Sequence, residues 1–107
     1  MSKVNIYLDD DLVYRATPLG YLRFTTGESL IEYMNTTKPE VDTISFDNDL
    51  GENILEGYDV VKEMISSGWN VKNVVVHSAN IVAKNNMQRY ILSANKAGVS
   101  HITLIRR

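Results

Sequence analysis

Three short runs of this sequence carry the residue types that hold a cation and a phosphate: Asp9-Asp10, Asp47-Asn48-Asp49 and His77-Ser78-Ala79-Asn80. Carboxylates are hard oxygen ligands, suited to Mg²⁺ or Mn²⁺ with coordination positions left for phosphate or water. If Asp9, Asp10, Asp47 and Asp49 met in one place, they would raise one another's pKa unless a cation lay among them. His77 adds a group able to move protons near neutral pH, since an unperturbed imidazole titrates at about 6.5. Each run alone is also ordinary turn and cap chemistry. The question is whether the fold brings them together.

The surrounding pattern says that it does. Val4 to Leu8 reads as a strand that Asp9-Asp10-Asp11 stops, and Tyr21 to Phe24 reads as a short second strand after the loop residues Pro18 and Gly20. Thr25-x-x-Glu28 has the form of a capping box, with Leu30, Ile31 and Met34 on one helical face behind it. Val41 to Phe46 is the next strand, ending in the acidic run, and a polar loop follows to about Gly57. Val60, Val61, Met64 and Ile65 mark a second helix that Gly68 stops. Val71 to Val76 is a β-branched strand ending at His77. Met87, Tyr90, Ile91 and Ala94 then share a face of a third helix that stops at Gly98, and Val99 to Ile105 reads as the last strand. Alternating strands and helices predict right-handed crossovers and a parallel sheet covered on both faces. The expected class is α/β: a flavodoxin-like, doubly wound, parallel five-stranded sheet of order 2-1-3-4-5.

That order sets the first, third and fourth strands side by side, about 4.8 Å apart, with the polar runs at their carboxyl ends. Ligands bind at this edge of open α/β sheets. Ser78, Asn80 and the amides opening the helix after Asn80 could hold an anion there, and Lys84, early in that helix, could approach it. The rest of the composition narrows the classes. A chain of 107 residues with 44% hydrophobic residues is expected to form a single domain over 1–107. A net charge of -2 speaks against a generic nucleic-acid binder, although the Arg106-Arg107 pair is a local basic candidate. There is no cysteine, which excludes disulfides and thiol catalysis. No apolar run approaches the roughly 18 residues of a membrane span, and Asp9 comes too early for a secretion signal. A cytoplasmic protein is expected. Met87, Tyr90 and Ile91 read as core, and His101 carries no functional signal.

The clusters resemble those of response-regulator receiver domains. Paired acids follow the first strand, Asp47 stands in the phosphoacceptor position, Gly57 opens the next helix, and Ser78 stands where receivers carry Ser or Thr. The chain is more closely similar to the cyclic-phosphate-processing receiver-like family of bacteria and phages. The matching runs are Leu8-Asp9-Asp10, Asp47-Asn48-Asp49-Leu50-Gly51, Gly57-Tyr58-Asp59-Val60, His77-Ser78-Ala79-Asn80 and Asn86-Met87, in the family's order and spacing. Two kinds of departure stand out. Receivers carry a Lys near the end of the last strand, and Val99 to Arg107 contains none, which speaks against a phosphorelay. Within the closer family, Asn48 replaces a His between the two acids. Leu12 stands where an Arg often follows, with Arg15 three residues on as a spatial substitute.

The resemblance implies a metal-dependent phosphoesterase acting on a cyclic phosphate, of a nucleotide or a nucleic-acid end. Asp9, Asp10, Asp47 and Asp49 would hold the divalent metal. Asp47, His77 and Asp49 would do the chemistry, while Ser78, Asn80, Asn48, Arg15 and Lys84 would bind the phosphate. Attack by water and attack by Asp47 itself both remain open. Two other functions fit the same residues. One is a binding module, for a phosphorylated ligand or a protein partner, whose chemistry went with the histidine at position 48. The other is a phosphoaccepting signalling receiver.

Overall fold

A computed structural model of the protein describes residues 3–11, 15–50 and 55–105. Five strands and three helices follow in the order β1 (Val4–Leu8), β2 (Tyr21–Phe24), α1 (Gly27–Thr37), β3 (Val41–Phe46), α2 (Gly57–Ser66), β4 (Val71–Val76), α3 (Ile81–Lys96) and β5 (Thr103–Ile105). The strands form one parallel sheet in the order β2-β1-β3-β4-β5, as expected of a flavodoxin-like fold.

Handedness decides where the helices go. The crossovers from β2 to β3, β3 to β4 and β4 to β5 all run in the same direction across the sheet. Right-handed connections therefore lay α1, α2 and α3 on one face, where α2 packs between α1 and α3. Alternate strand residues feed that layer: Ile6, Leu8, Ile44, Phe46, Val74 and Val76 are buried against Leu30, Met34, Val60, Met64, Met87 and Ile91. The connection from β1 to β2 runs the opposite way and so belongs to the other face. It holds no helix among its described residues. The second face is polar instead. One row across it reads Tyr21, Asn5, Thr43, Asn73, Thr103, and the next reads Arg23, Tyr7, Ser45, Val75, Ile105.

Two boundaries differ from the sequence reading. Thr26, not Thr25, caps α1, its Oγ1 accepting from the Ser29 amide at 3.1 Å. Either threonine could serve, and capping at 26 puts Leu30 and Met34 inward. The last strand is three residues rather than seven, because Asn95 captures the backbone before it can pair. Its Oδ1 accepts from the Ile102 amide at 3.0 Å and its Nδ2 donates to the Ile102 carbonyl at 2.7 Å. No described helix is long and apolar enough to cross a membrane.

Candidate functional site

The sheet register brings the three runs level. Leu8 pairs with Phe46, and Phe46 with Val76. The ladder continues one step further: the Asp47 amide donates to the Leu8 carbonyl at 2.9 Å, the His77 amide to Phe46 at 2.8 Å, and the Asp9 amide to Phe24 at 3.0 Å. Asp9, Asp47 and His77 therefore stand abreast at the carboxyl edge.

Asp9, Asp10 and Asp47 each offer a carboxylate oxygen, and these atoms lie within 4.8 Å of one another. Asp9 is fully buried and Asp47 nearly so. Burial, and next the charge of Asp9, push the Asp47 carboxyl up from its ordinary 3.8 to about 6. Arg15 and a hydrogen bond from the Ser78 hydroxyl pull it partway back. A carboxyl in that position is short of positive charge, so the donor set suits a divalent cation. Asp9 is already much engaged. Its Oδ1 accepts from the Asp11 amide at 2.8 Å, and its Oδ2 accepts from His77 Nε2 at 2.9 Å and more loosely from Arg15 at 3.5 Å. Two carboxylate oxygens offer about four lone-pair directions, which leaves Asp9 roughly one to share.

His77 is held on every side. A carboxylate only accepts, so the ring proton sits on Nε2 facing Asp9. Nδ1 then takes the hydroxyl hydrogen of Ser45, 2.6 Å away. Burial holds the imidazole pKa below its ordinary value against the opposing pull of Asp9, which favours this neutral form. Tyr7 stacks flat on the ring with centroids 4.5 Å apart, and the Arg23 guanidinium lies 5.2 Å from the Tyr7 centroid. Arg23 also gathers the chain after β1. It donates to the carbonyls of Asp9, Asp11 and Arg15 at 2.7–2.8 Å. Arg15 is in turn delivered to the His77 carbonyl at 2.7 Å.

The other expected residues divide. Asp49 is exposed and lies outside the group of three, accepting from Asn48 at 3.1 Å and from Asn80 at 3.5 Å. Asn48 is buried and turned toward α2. Its amide nitrogen donates to Asp49 and Glu56, and its oxygen accepts from the Tyr58 amide at 2.9 Å. Asn80 caps α3 through the Ala83 amide at 3.0 Å. Ser78 Oγ accepts from the Asn80 amide at 3.1 Å while its hydroxyl serves Asp47. Lys84 borders a cavity beside His77. Gly57 presses against the acidic loop: a Cβ there would stand 2.1 Å from the Asp47 carbonyl oxygen. Leu12, Gly51, Arg106 and Arg107 lie outside the described residues.

Tyr7, Ser45 and Arg23 escaped the reading of the sequence. A signal was there, because counting two residues back from Asp9 and Asp47 gives Tyr7 and Ser45, on the same side of their strands. Arg23 is then Tyr7's partner across the sheet.

The fold agrees with what comparison finds. The structure superposes on the signal receiver domain of a putative Luxo repressor protein from Vibrio parahaemolyticus, with TM-score 0.60 and 16% identity, covering 100% of this chain and 79% of that one. It also superposes on the signal receiver domain of a modulated diguanylate cyclase from Desulfovibrio desulfuricans G20, described as an example of alternate folding. There the TM-score is 0.58 and the identity 18%, over 96% and 79% of the two chains. At such identities the likeness is one of fold. A search of curated proteins finds no match. The sequence pattern of one family does fit, over residues 4–93 and so over the strands that carry Asp9, Asp47 and His77. This chain belongs to the cyclic-phosphate processing receiver domain family.

Proposed function

We propose that this domain is a metal-dependent phosphoesterase acting on a cyclic phosphate, carried by a nucleotide or a nucleic-acid end. The observation that carries the reading is the crowding of Asp9, Asp10 and Asp47, with Asp47 raised to about 6. Asp10 and Asp47, with the remaining lone pair of Asp9, would hold Mg²⁺ or Mn²⁺. Such an ion supplies charge for the phosphoryl oxygens and lowers the pKa of bound water.

The chain's own groups divide the remaining work. Arg15, partly exposed above Asp9, is placed to meet a phosphoryl oxygen. The free amides opening α3 and the Ser78 hydroxyl face the same edge. His77 fixes the direction of the Asp9 carboxylate through Nε2. Because Ser45 holds Nδ1, a substrate proton reaches the ring only if one of these two bonds opens. His77 therefore serves first to position Asp9 and second as a proton carrier. Either Asp47 or a water can be the nucleophile at this edge.

The test is hydrolysis of a panel of nucleoside 2′,3′-cyclic phosphates and cyclic nucleotides, with Mg²⁺, Mn²⁺ or chelator, beside Asp47→Asn. Metal-dependent product lost in the variant supports the reading. No product from any ligand, with Mn²⁺ still bound, favours the second reading, a binding module. The observation behind that alternative is Asn48, whose polar atoms are all engaged with α2 and Asp49, so position 48 supplies no acid or base. A phosphoaccepting receiver would instead label at Asp47 with a small phosphodonor.

A further inference from the structure

The polar face of the sheet holds a cavity of about 650 Å³ behind His77. Its walls are the rings of Tyr7 and Tyr21, the Pro18 ring and the side chain of Val75. Ser45, His77 and Lys84 are its polar members. A mostly apolar, aromatic lining with a few placed polar groups, at this volume, is the make-up of a small-molecule site.

The cavity and the acidic edge share a wall. His77 lines the cavity, and the same ring reaches Asp9 Oδ2 at 2.9 Å. One imidazole and one hydrogen bond thus separate the aromatic chamber from the carboxylates, a span that a ribose bridges between a base and its phosphate. Tyr7 and Tyr21 meet edge to face at 6.3 Å, so the two rings form a corner rather than a closed stack. Tyr7 already carries the His77 ring, so a third flat ring would lie against Tyr21. The phenols of Tyr7 and Tyr21 at the cavity wall can donate to the carbonyl and ring-nitrogen acceptors of a heteroaromatic base.

We infer that this cavity seats the nucleobase of a nucleotide whose phosphate lies on the acidic edge. The placement of the phosphate rests on the phosphoesterase reading, whereas the affinity of the cavity for a base does not. The base would lie against Tyr21 and Val75 with Lys84 and Ser45 at its rim. Ligands lacking a flat base would then bind only through their phosphate.

The experiment is a methyl-resolved NMR titration of the whole chain, read at the Val75 methyl groups. The probes are adenosine, guanosine, cytidine and uridine, with ribose 5-phosphate and inorganic phosphate as base-free controls. A saturable shift is expected with at least one nucleoside and with neither control. Removing the ring in Tyr21→Ala, on the edge strand β2, should weaken that binding roughly tenfold or more. Val75→Phe, which fills the cavity and removes the reporting methyls, should weaken nucleoside binding likewise when read by calorimetry. Mn²⁺ binding is followed in parallel to show that the acidic edge is intact. No shift with any nucleoside overturns the inference, as does a shift that ribose 5-phosphate reproduces. Nucleoside binding without hydrolysis of any ester would remove the phosphoesterase reading and leave the cavity assignment standing. Hydrolysis of nucleotides at unchanged KM in both variants would do the reverse.

Discussion

The two faces of this sheet are built from the same strands and do opposite work. Ile6, Leu8, Ile44, Phe46, Val74 and Val76 point toward three helices and lose essentially all contact with water. Their immediate neighbours Tyr7, Asp9, Ser45, Asp47, Val75 and His77 point the other way. There no described helix lies over the sheet, and the side chains satisfy one another instead. The helical face draws its stability from close packing, which tolerates no chemistry. The other face has room for a buried carboxylate, a doubly bonded imidazole and a cavity. A sheet with helices on both sides would have filled that space.

The largest effect expected from breaking this contrast is on the packed side. Phe46→Ala removes a fully buried ring and should cost about 3–5 kcal/mol in urea-denaturation stability. His77→Ala, one strand over on the open side, should leave the fold largely intact while lowering turnover roughly 10²-fold. Unchanged turnover would remove His77 from the mechanism. Ser45→Ala, immediately before Phe46, should cost only about 1 kcal/mol of stability, the worth of one hydrogen bond. Its more telling readout is the His77 imidazole titration by NMR, since Nδ1 loses its partner. A stability loss equal to that of Phe46→Ala would mean that the two faces are not energetically distinct.

The smallest expected effect is on pH dependence. Asp47 titrates near 6 in the folded chain against an ordinary 3.8, so between these values the native state binds more protons than the unfolded one. Stability from this group is therefore present below pH 4 and lost as pH rises through 6. His77, whose folded pKa is lowered, acts in the opposite sense, losing stability as pH falls below its unfolded value. The difference between wild type and Asp47→Asn isolates the first contribution. The metal-free wild type should lose stability relative to the variant from pH 4 to 7, and saturating Mg²⁺ should close the gap. A gap that Mg²⁺ leaves unchanged would argue against a cation at Asp47.

Much of the site was legible because acids and the histidine fall at strand ends, where a parallel sheet gathers its ligands. Asp47 is dozens of residues from the adjacent Asp9 and Asp10, yet the three were readable as one group from strand order alone. Asp49 was not separable from them by the same logic. A two-residue step along a loop turns its side chain away, toward Asn48 and Asn80, and loop geometry has no period to count. The hydrogen bonds of Asn48 were hidden for a similar reason: a single amide can face a phosphate or a helix start, and only the approach of Gly57 to the Asp47 carbonyl places α2 where Asn48 meets it.

Sequence alone determined the elements, their order and the edge where chemistry could gather, because hydrophobic period, glycine stops and crossover handedness are local or chain-wide regularities. Tertiary structure alone decided what each polar atom does there. Asp9 could have been a free ligand, His77 a free base and the sheet's second face a buried one. Their states were settled by which groups arrived opposite them: Arg23 and Tyr7 from neighbouring strands and Ser45 from β3. Hydrogen-bond partners are a property of positions in space, and no pattern along the chain states them.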